Sequence, residues 1–341
     1  MNPRALLRHR ASPSGARFAM LAAALALTAA GLAKPMLTLP SDVFRHLVVF
    51  DITQSMNVGD AVPGDITLTR LEHAKAAVLD AATTLPCGSE LGLGLFTGHR
   101  TFLLLAPVEV CANYPDLAAA VRAVDWRMAW TARSEIAKGV HSGLGIARAL
   151  GPRTVLVFLT DGHEAPPLHP ELRPSFGGEP GAVRGLLAGI GGSVPLPIPK
   201  LDPQGRNLGD WGMEDVMQVD ELTLGRGTSV SEGYAEARSS DARAGIAPGT
   251  EHLSALREAH LRALANGLQL RYRRVESAGD LRSALQHPDF ANELESMTDL
   301  RPWLAGVAAL LAALSYAVPA RRERRLHTGG NTVAVGPESA G

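Results

Sequence analysis

His46-Leu47-Val48-Val49-Phe50-Asp51-Ile52-Thr53-Gln54-Ser55 decides how this chain folds. An apolar run ends in an acid, and two hydroxyl side chains follow at a spacing of two. A short run that is apolar at every position predicts a strand buried on both faces. Its end then opens into a loop that offers one carboxylate and two alcohols. Val155-Leu156-Val157-Phe158-Leu159 repeats the arrangement and runs into Thr160-Asp161-Gly162. Two such strand ends predict oxygen donors gathered at the carboxyl edge of a parallel sheet, where open α/β folds bind their ligands.

Outward from these two strands, the pattern alternates. Leu71 to Thr84 carries Leu71, Ala74, Ala77, Val78 and Ala81 at helical spacing. Asp116 to Val124 reads as a short helix, and Ile136 to Leu150 as a longer one with Ile136, Val140, Leu144 and Ala147 as its buried stripe. Val183 to Ile190 is a third apolar strand. Leu253 to Asn266 is a helix with Gly267 as its C-cap, Leu268 to Tyr272 a last strand, and Ala278 to Leu285 a closing helix. Strands alternating with helices predict an α/β fold with a doubly wound, mainly parallel sheet over 44–290. The stretch 193–249 is rich in Pro, Gly and charge and reads as a long irregular insertion on that domain.

The 341 residues carry a formal net charge of −1, which gives no electrostatic case for nucleic acid. The charge is unevenly placed. Arg4, Arg8, Arg10, Arg17 and Lys34 precede residue 41 with no acid among them, and Arg321-Arg322-Glu323-Arg324-Arg325 stands near the other end. Each basic cluster flanks an apolar stretch. The first, 18–39, is long enough to span a bilayer, as an anchor or as a signal segment cleaved after Gly31-Leu32-Ala33. Pro35 to Leu39 prolongs it past Lys34 and favours the anchor. The second, 302–318, is uncharged with Trp303 and Tyr316 near its ends, as interfacial aromatics stand. Two flanking transmembrane helices are therefore expected. The N-tail 1–17 and the tail 319–341 would be cytoplasmic, with the main domain in the periplasm on the inner membrane.

The only two cysteines agree with that placement. Cys87 precedes the strand Glu90 to Phe96, and Cys111 follows the strand Thr101 to Leu105. Gly98-His99-Arg100 turns between them. In an antiparallel hairpin centred near His99 the two cysteines are equidistant from the turn and face each other, so an oxidising compartment predicts a Cys87–Cys111 disulfide.

Asp51, Thr53 and Ser55 lie on alternate residues of one loop, so their oxygens converge; Asp161 joins them from the second strand end. Ser134, in Thr131-Ala132-Arg133-Ser134-Glu135-Ile136, is either the N-cap of the helix that follows or a further oxygen ligand. An all-oxygen set suits a divalent cation, Mg²⁺ or Ca²⁺. The loop reads as a surface loop, so Asp51→Ala should spare the fold. His163 and Glu164 are adjacent in an extended segment and point apart, which argues against joint acid–base work. Trp126 and Trp130 flank Arg127 before the Ser134 loop and serve either as core packing or as a partner-anchoring surface. There is no Gly-x-Ser-x-Gly elbow and no phosphate-binding loop of the Gly-x-x-x-x-Gly-Lys-[Ser/Thr] kind. No cofactor other than the cation is called for, and no catalysis is expected.

The combination resembles the von Willebrand factor A domain and its metal-ion-dependent adhesion site (MIDAS), over roughly 44–290. Asp51 and Ser55 match that D-x-S-x-S pattern directly, and Thr53 keeps the hydroxyl of the usual first Ser. Ser134 stands where the family has Thr, and Asp161 matches the last acid. The resemblance implies that Thr53 and Ser55 bind the ion directly, the acids partly through water, and that one position stays open for an acid from a partner protein. A narrower likeness lies in Asp51-Ile52-Thr53-Gln54-Ser55-Met56, Leu85-Pro86-Cys87-Gly88-Ser89, Asp125-Trp126-Arg127-Met128-Ala129-Trp130 and Thr160-Asp161-Gly162-His163-Glu164-Ala165-Pro166-Pro167. These segments look like the MxaL proteins of methanol-dehydrogenase gene clusters. That likeness implies protein maturation, namely assembly or Ca²⁺ insertion of a periplasmic quinoprotein methanol dehydrogenase in methanol oxidation. The alternative implied is an aerotolerance-type A-domain protein working with a MoxR-like ATPase on other envelope proteins.

Overall fold

In the computed structural model, residues 13–60, 68–168, 174–175, 177–218 and 249–326 are described. The chain order begins with α1 (Pro13–Leu32), β1 (Met36–Val43) and β2 (Arg45–Asp51), followed by α2 (Arg70–Ala82). Next come β3 (Glu90–Thr97), β4 (Arg100–Glu109), α3 (Val110–Ala123), α4 (Ile136–Ala149), β5 (Val155–Thr160) and β6 (Gly185–Gly189). The long excursion then contributes the short strands β7 (Leu196–Pro197), β8 (Pro199–Leu201) and β9 (Asn207–Asp210), and β10 (Leu253–Ser254) follows it. The chain finishes with α5 (Glu258–Leu268), β11 (Arg271–Arg274), α6 (Ala278–Leu285), β12 (Asn292–Asp299) and α7 (Arg301–Leu326).

Two compact units result, Asp42–Leu294 and the joined segments Met1–Ser41 with Glu295–Gly341. The larger unit is built on a six-stranded sheet of order β11-β6-β5-β2-β3-β4. Its inner strands are buried on both faces because they are apolar at consecutive positions. Val48, Phe50, Val157 and Leu159 meet Leu71, Ala74 and Val78 of α2 and Leu281 and Leu285 of α6 on one side. Leu47, Val49, Leu156 and Phe158 meet Val140 and Leu144 of α4 and Leu261 and Ala265 of α5 on the other. Burying each such side chain stabilises the fold by about 1.5–3 kcal/mol, which fixes the register of β2 against β5 and so the position of whatever follows them. In the smaller unit α1 packs on α7, and the Arg17 guanidinium lies 5.4 Å over the Tyr316 ring.

The expectation of a doubly wound, mainly parallel sheet with two flanking transmembrane helices is corrected on both counts. The sheet is mixed: β2 pairs in parallel with β3 and β5, but β4 returns antiparallel beside β3. Only Gly98 and His99 separate the two strands, with Gly98 at φ +67°, and a parallel return needs a crossover of a dozen or so residues. Further two-stranded sheets form outside it, β7 with β10, β8 with β9, and β1 with β12. Among the described residues one helix, over Gly15–Leu32, is long and apolar enough to cross a membrane by length and composition. α7 is helical through the second expected span but does not add another; the tails 1–12 and 327–341 lie outside the described residues.

Three boundaries move for physical reasons. The helix expected from Leu253 starts at Glu258, because Leu253 and Ser254 pair with Pro197 and Leu196 as β10. It also runs past Gly267: Leu268 and Leu270 are both buried, and the reversal between them falls on Gln269 at φ +56°. The last strand is consequently Arg271–Arg274. Of the excursion 193–249, the first part forms β7, β8 and β9, and 219–248 lies outside the described residues.

Candidate functional site

β2 and β5 are parallel neighbours, with Phe50 opposite Leu159. Their carboxyl ends therefore deliver Asp51 and the Thr160-Asp161 pair side by side. Asp51, Thr53, Ser55, Ser134 and Asp161 are all buried, so the surface loop expected around Asp51 is instead the floor of a cavity. Thr53 donates to Asp51 Oδ1 through its backbone N–H at 2.9 Å and its hydroxyl at 2.7 Å. Thr160 Oγ1 donates to Asp51 Oδ2 at 2.6 Å. The hydroxyls of Thr53 and Ser55 are 3.5 Å apart. The oxygens meet although Ser55 lies in a 3-10 turn over Gln54–Asn57 and not in an extended loop.

Asp161 is held differently. Its Oδ2 accepts from Arg70 Nη1 at 2.6 Å and from Ser254 Oγ at 2.9 Å, and its Oδ1 from the His163 N–H at 2.9 Å. Gly162 follows at φ +76°, and a Cβ there would lie 2.8 Å from Leu261 Cγ, so both backbone and space require glycine in this turn. Burial, and then the nearby Asp161 charge, push the Asp51 carboxyl up to about 7. Burial acts most strongly on Asp161 and would raise it too, but the Arg70 guanidinium, His163 and the hydrogen bonds from the His163 N–H and Ser55 together hold it below the usual carboxylate range.

Ser134 settles one of the alternatives. The N-terminus of α4 is capped by Glu164, whose carboxylate accepts from Ile136 N–H at 2.8 Å and Ala137 N–H at 3.0 Å. Ser134 is not the cap. Its backbone is clamped instead by reciprocal 2.7 Å bonds with Ala165, and its buried hydroxyl has no hydrogen-bond partner among the described residues. A buried orphan hydroxyl is costly, so its place beside Thr53 and Ser55 in one cavity points to a group received from outside. The donor set is all oxygen and suits a hard divalent cation. Thr131 lines the same cavity. Elsewhere, a cluster of Cys87, Glu109 and Cys111 converges among the described residues, but its sulfurs are joined as the expected disulfide, which removes them as metal ligands.

Arg70 and Ser254 carried no signal in the sequence, and His163 and Glu164, considered there as an acid–base pair, take separate roles. Arg70 is completely buried between Asp60 and Asp161, 2.6 Å from each. Ser254 reaches Asp161 across 93 residues of chain. Glu164 is the cap described above, and His163, adjacent to it, turns the other way into the cavity. The two tryptophans divide: Trp126 packs against the core, whereas Trp130 is 65% exposed with its ring edge-on to Phe102 at 4.7 Å.

No family model matches the chain, and no curated protein matches it. Among solved structures it is similar to an uncharacterized membrane spanning protein from Vibrio fischeri, at 16% identity over 72% of this chain and 98% of that one, with a TM-score of 0.26. The PilB minor pilin from Streptococcus sanguinis shares 13% identity over 71% of this chain and 60% of that one, with a TM-score of 0.35. The pilus adhesin SpaC from Lactobacillus rhamnosus GG shares 14% over 71% and 30%, with a TM-score of 0.33. Scores this low carry no argument about function.

Proposed function

We propose that this chain is a membrane-anchored binding protein that holds a divalent cation, Mg²⁺ or Ca²⁺, and through it an acidic residue of a partner protein. Thr53, Ser55 and Ser134 would supply hydroxyl oxygens, and Asp51 and Asp161 the charge. The cation's contribution is electrostatic: it offsets the two carboxylates and leaves a position for an acid brought by the partner. The observation that carries the reading is the buried, unpartnered Ser134 hydroxyl beside the converged Thr53 and Ser55. An N-terminal helix able to cross a membrane and the Cys87–Cys111 disulfide support a domain on the oxidising side of the inner membrane, in the periplasm.

The partner we propose is a quinoprotein methanol dehydrogenase or its maturation factors, and the task its assembly or Ca²⁺ insertion. Support comes from the four sequence segments that look like the MxaL proteins, two of which, around Asp51 and Asp161, build the site. The role is binding, without catalysis. Asp51→Ala, with the isosteric Asp51→Asn beside it, should leave periplasmic methanol dehydrogenase present but short of calcium and inactive. Fully loaded, active enzyme in cells carrying either variant would refute the assignment.

A further inference from the structure

The cavity above Asp51 has a second wall that the cation reading does not use. It encloses about 300 Å³ between the hydroxyls of Thr53, Ser55 and Ser134 on one side and His163, Trp211 and Glu251 on the other. Trp211 comes from the irregular excursion, directly after β9. Its backbone N–H is fixed to Ile198 O at 2.9 Å, and the Lys200 ammonium sits 4.7 Å over its ring. The indole N–H can only donate, yet it is buried without an acceptor. Both ring nitrogens of His163 are likewise buried and unpartnered, and the nearest acid, Glu251, stands 3.7 Å from Nε2. That acid also has Arg257 at 4.0 Å, so its charge is balanced from its own side.

Among the described residues, two nitrogen donors without acceptors line the same cavity as an unpartnered hydroxyl, that of Ser134. Ile198, Pro166 and Val216 add apolar surface, and Arg133 and Asp215 add one charge of each sign to the lining. We infer that this cavity is a subsite for one carboxylate side chain, in which Trp211 Nε1–H and a ring N–H of His163 donate to its oxygens. Trp211, directly after β9, is thereby a specificity-determining residue of this cavity. The identity of the occupant as a partner's acid rests on the function proposed above; the donor pair does not.

The test uses the full-length chain in detergent micelles with ¹⁵N-indole-labelled tryptophan. Four tryptophans give four N–H resonances, and Trp211→Phe assigns the one that matters. The probes are N-acetyl-aspartate methylamide and its asparagine counterpart, each with Mg²⁺ or with EDTA. The aspartate probe should shift the Trp211 resonance saturably and leave the other three in place, while the asparagine probe should not shift it. Calorimetry should show Trp211→Phe and His163→Leu each weakening the aspartate probe by about 5- to 10-fold, the effect of one buried hydrogen bond. A stationary Trp211 resonance, with binding in Trp211→Phe unchanged within about 2-fold, overturns the subsite even if Mg²⁺-dependent binding persists. A shift that survives EDTA and Asp51→Ala supports the subsite and refutes the cation-dependent reading instead.

Discussion

The two edges of the central sheet treat their polar groups in opposite ways. At the amino edge, where β2 and β3 begin and β4 ends, the chain satisfies itself. Cys87 is bonded to Cys111, Ser89 Oγ accepts from Phe44 N–H at 3.1 Å, and the Glu109 carboxylate accepts from the N–H groups of Gly88, Cys111 and Ala112. Arg45 is paired with Glu90 across the β2–β3 rungs. At the carboxyl edge, Ser134, His163 and Trp211 keep buried polar atoms with no partner among the described residues. The same sheet thus has one end closed by its own residues and one end left with bonding capacity. Unsatisfied buried polar groups are destabilising, so an edge that retains several of them is where a ligand has most to gain.

The sharpest way to break this contrast is to disturb the one closed element inside the open edge. Arg70→Met leaves Asp60 and Asp161 buried without their counter-charge, and the chain should lose about 3–5 kcal/mol in urea unfolding. Millimolar Mg²⁺ should restore part of that loss, since a cation at the site replaces the missing positive charge. A variant that is as stable as the parent, or insensitive to Mg²⁺, would show that Asp161 does not face the site electrostatically.

At the opposite edge the covalent closure carries the stability. The bridge spans 24 residues, and replacing both cysteines with serine should cost about 3 kcal/mol through the freed loop. The Mg²⁺-induced rise in Tm should remain as in the parent. Loss of that rise in the serine variant would mean that the two edges are coupled.

A smaller effect comes from the amino edge's own exception. His46 is fully buried, with Nε2 at 3.0 Å from Leu285 O and no partner for Nδ1. Burial, with the Arg184 charge added, lowers it from 6.5 to about 4 even though the Leu285 contact works the other way. The unfolded chain therefore binds more protons between those values. Stability is fully present above the unfolded value and declines as pH falls toward the folded one, by about 2 kcal/mol at pH 5. Urea midpoints measured from pH 8 to pH 5 should follow this curve, and His46→Gln should flatten it.

The sequence was most legible where chemistry and structure share a short stretch of chain. Apolar runs at consecutive positions announced β2 and β5, and the oxygens placed just after them announced Asp51, Thr53, Ser55 and Asp161. The pairing of Cys87 with Cys111 followed from their equal distance from one turn. The antiparallel return of β4 beside β3 was legible in the same turn. Less legible was Ser134, whose hydroxyl suits a cap and a ligand equally well until a competitor for the cap is seen.

The sequence by itself determined the buried strands and the identity of the donors at their ends, because both depend on neighbours within a few residues. Only the tertiary structure decided which side chains complete the site. Arg70 and Ser254 reach Asp161 from 91 and 93 residues away, and Glu164 displaces Ser134 as the cap of α4 from 28 residues along the chain. Trp211 closes the cavity from an excursion that has no hydrophobic period of its own. Such contacts are set by how helices and loops settle on the sheet, through packing that no local pattern encodes.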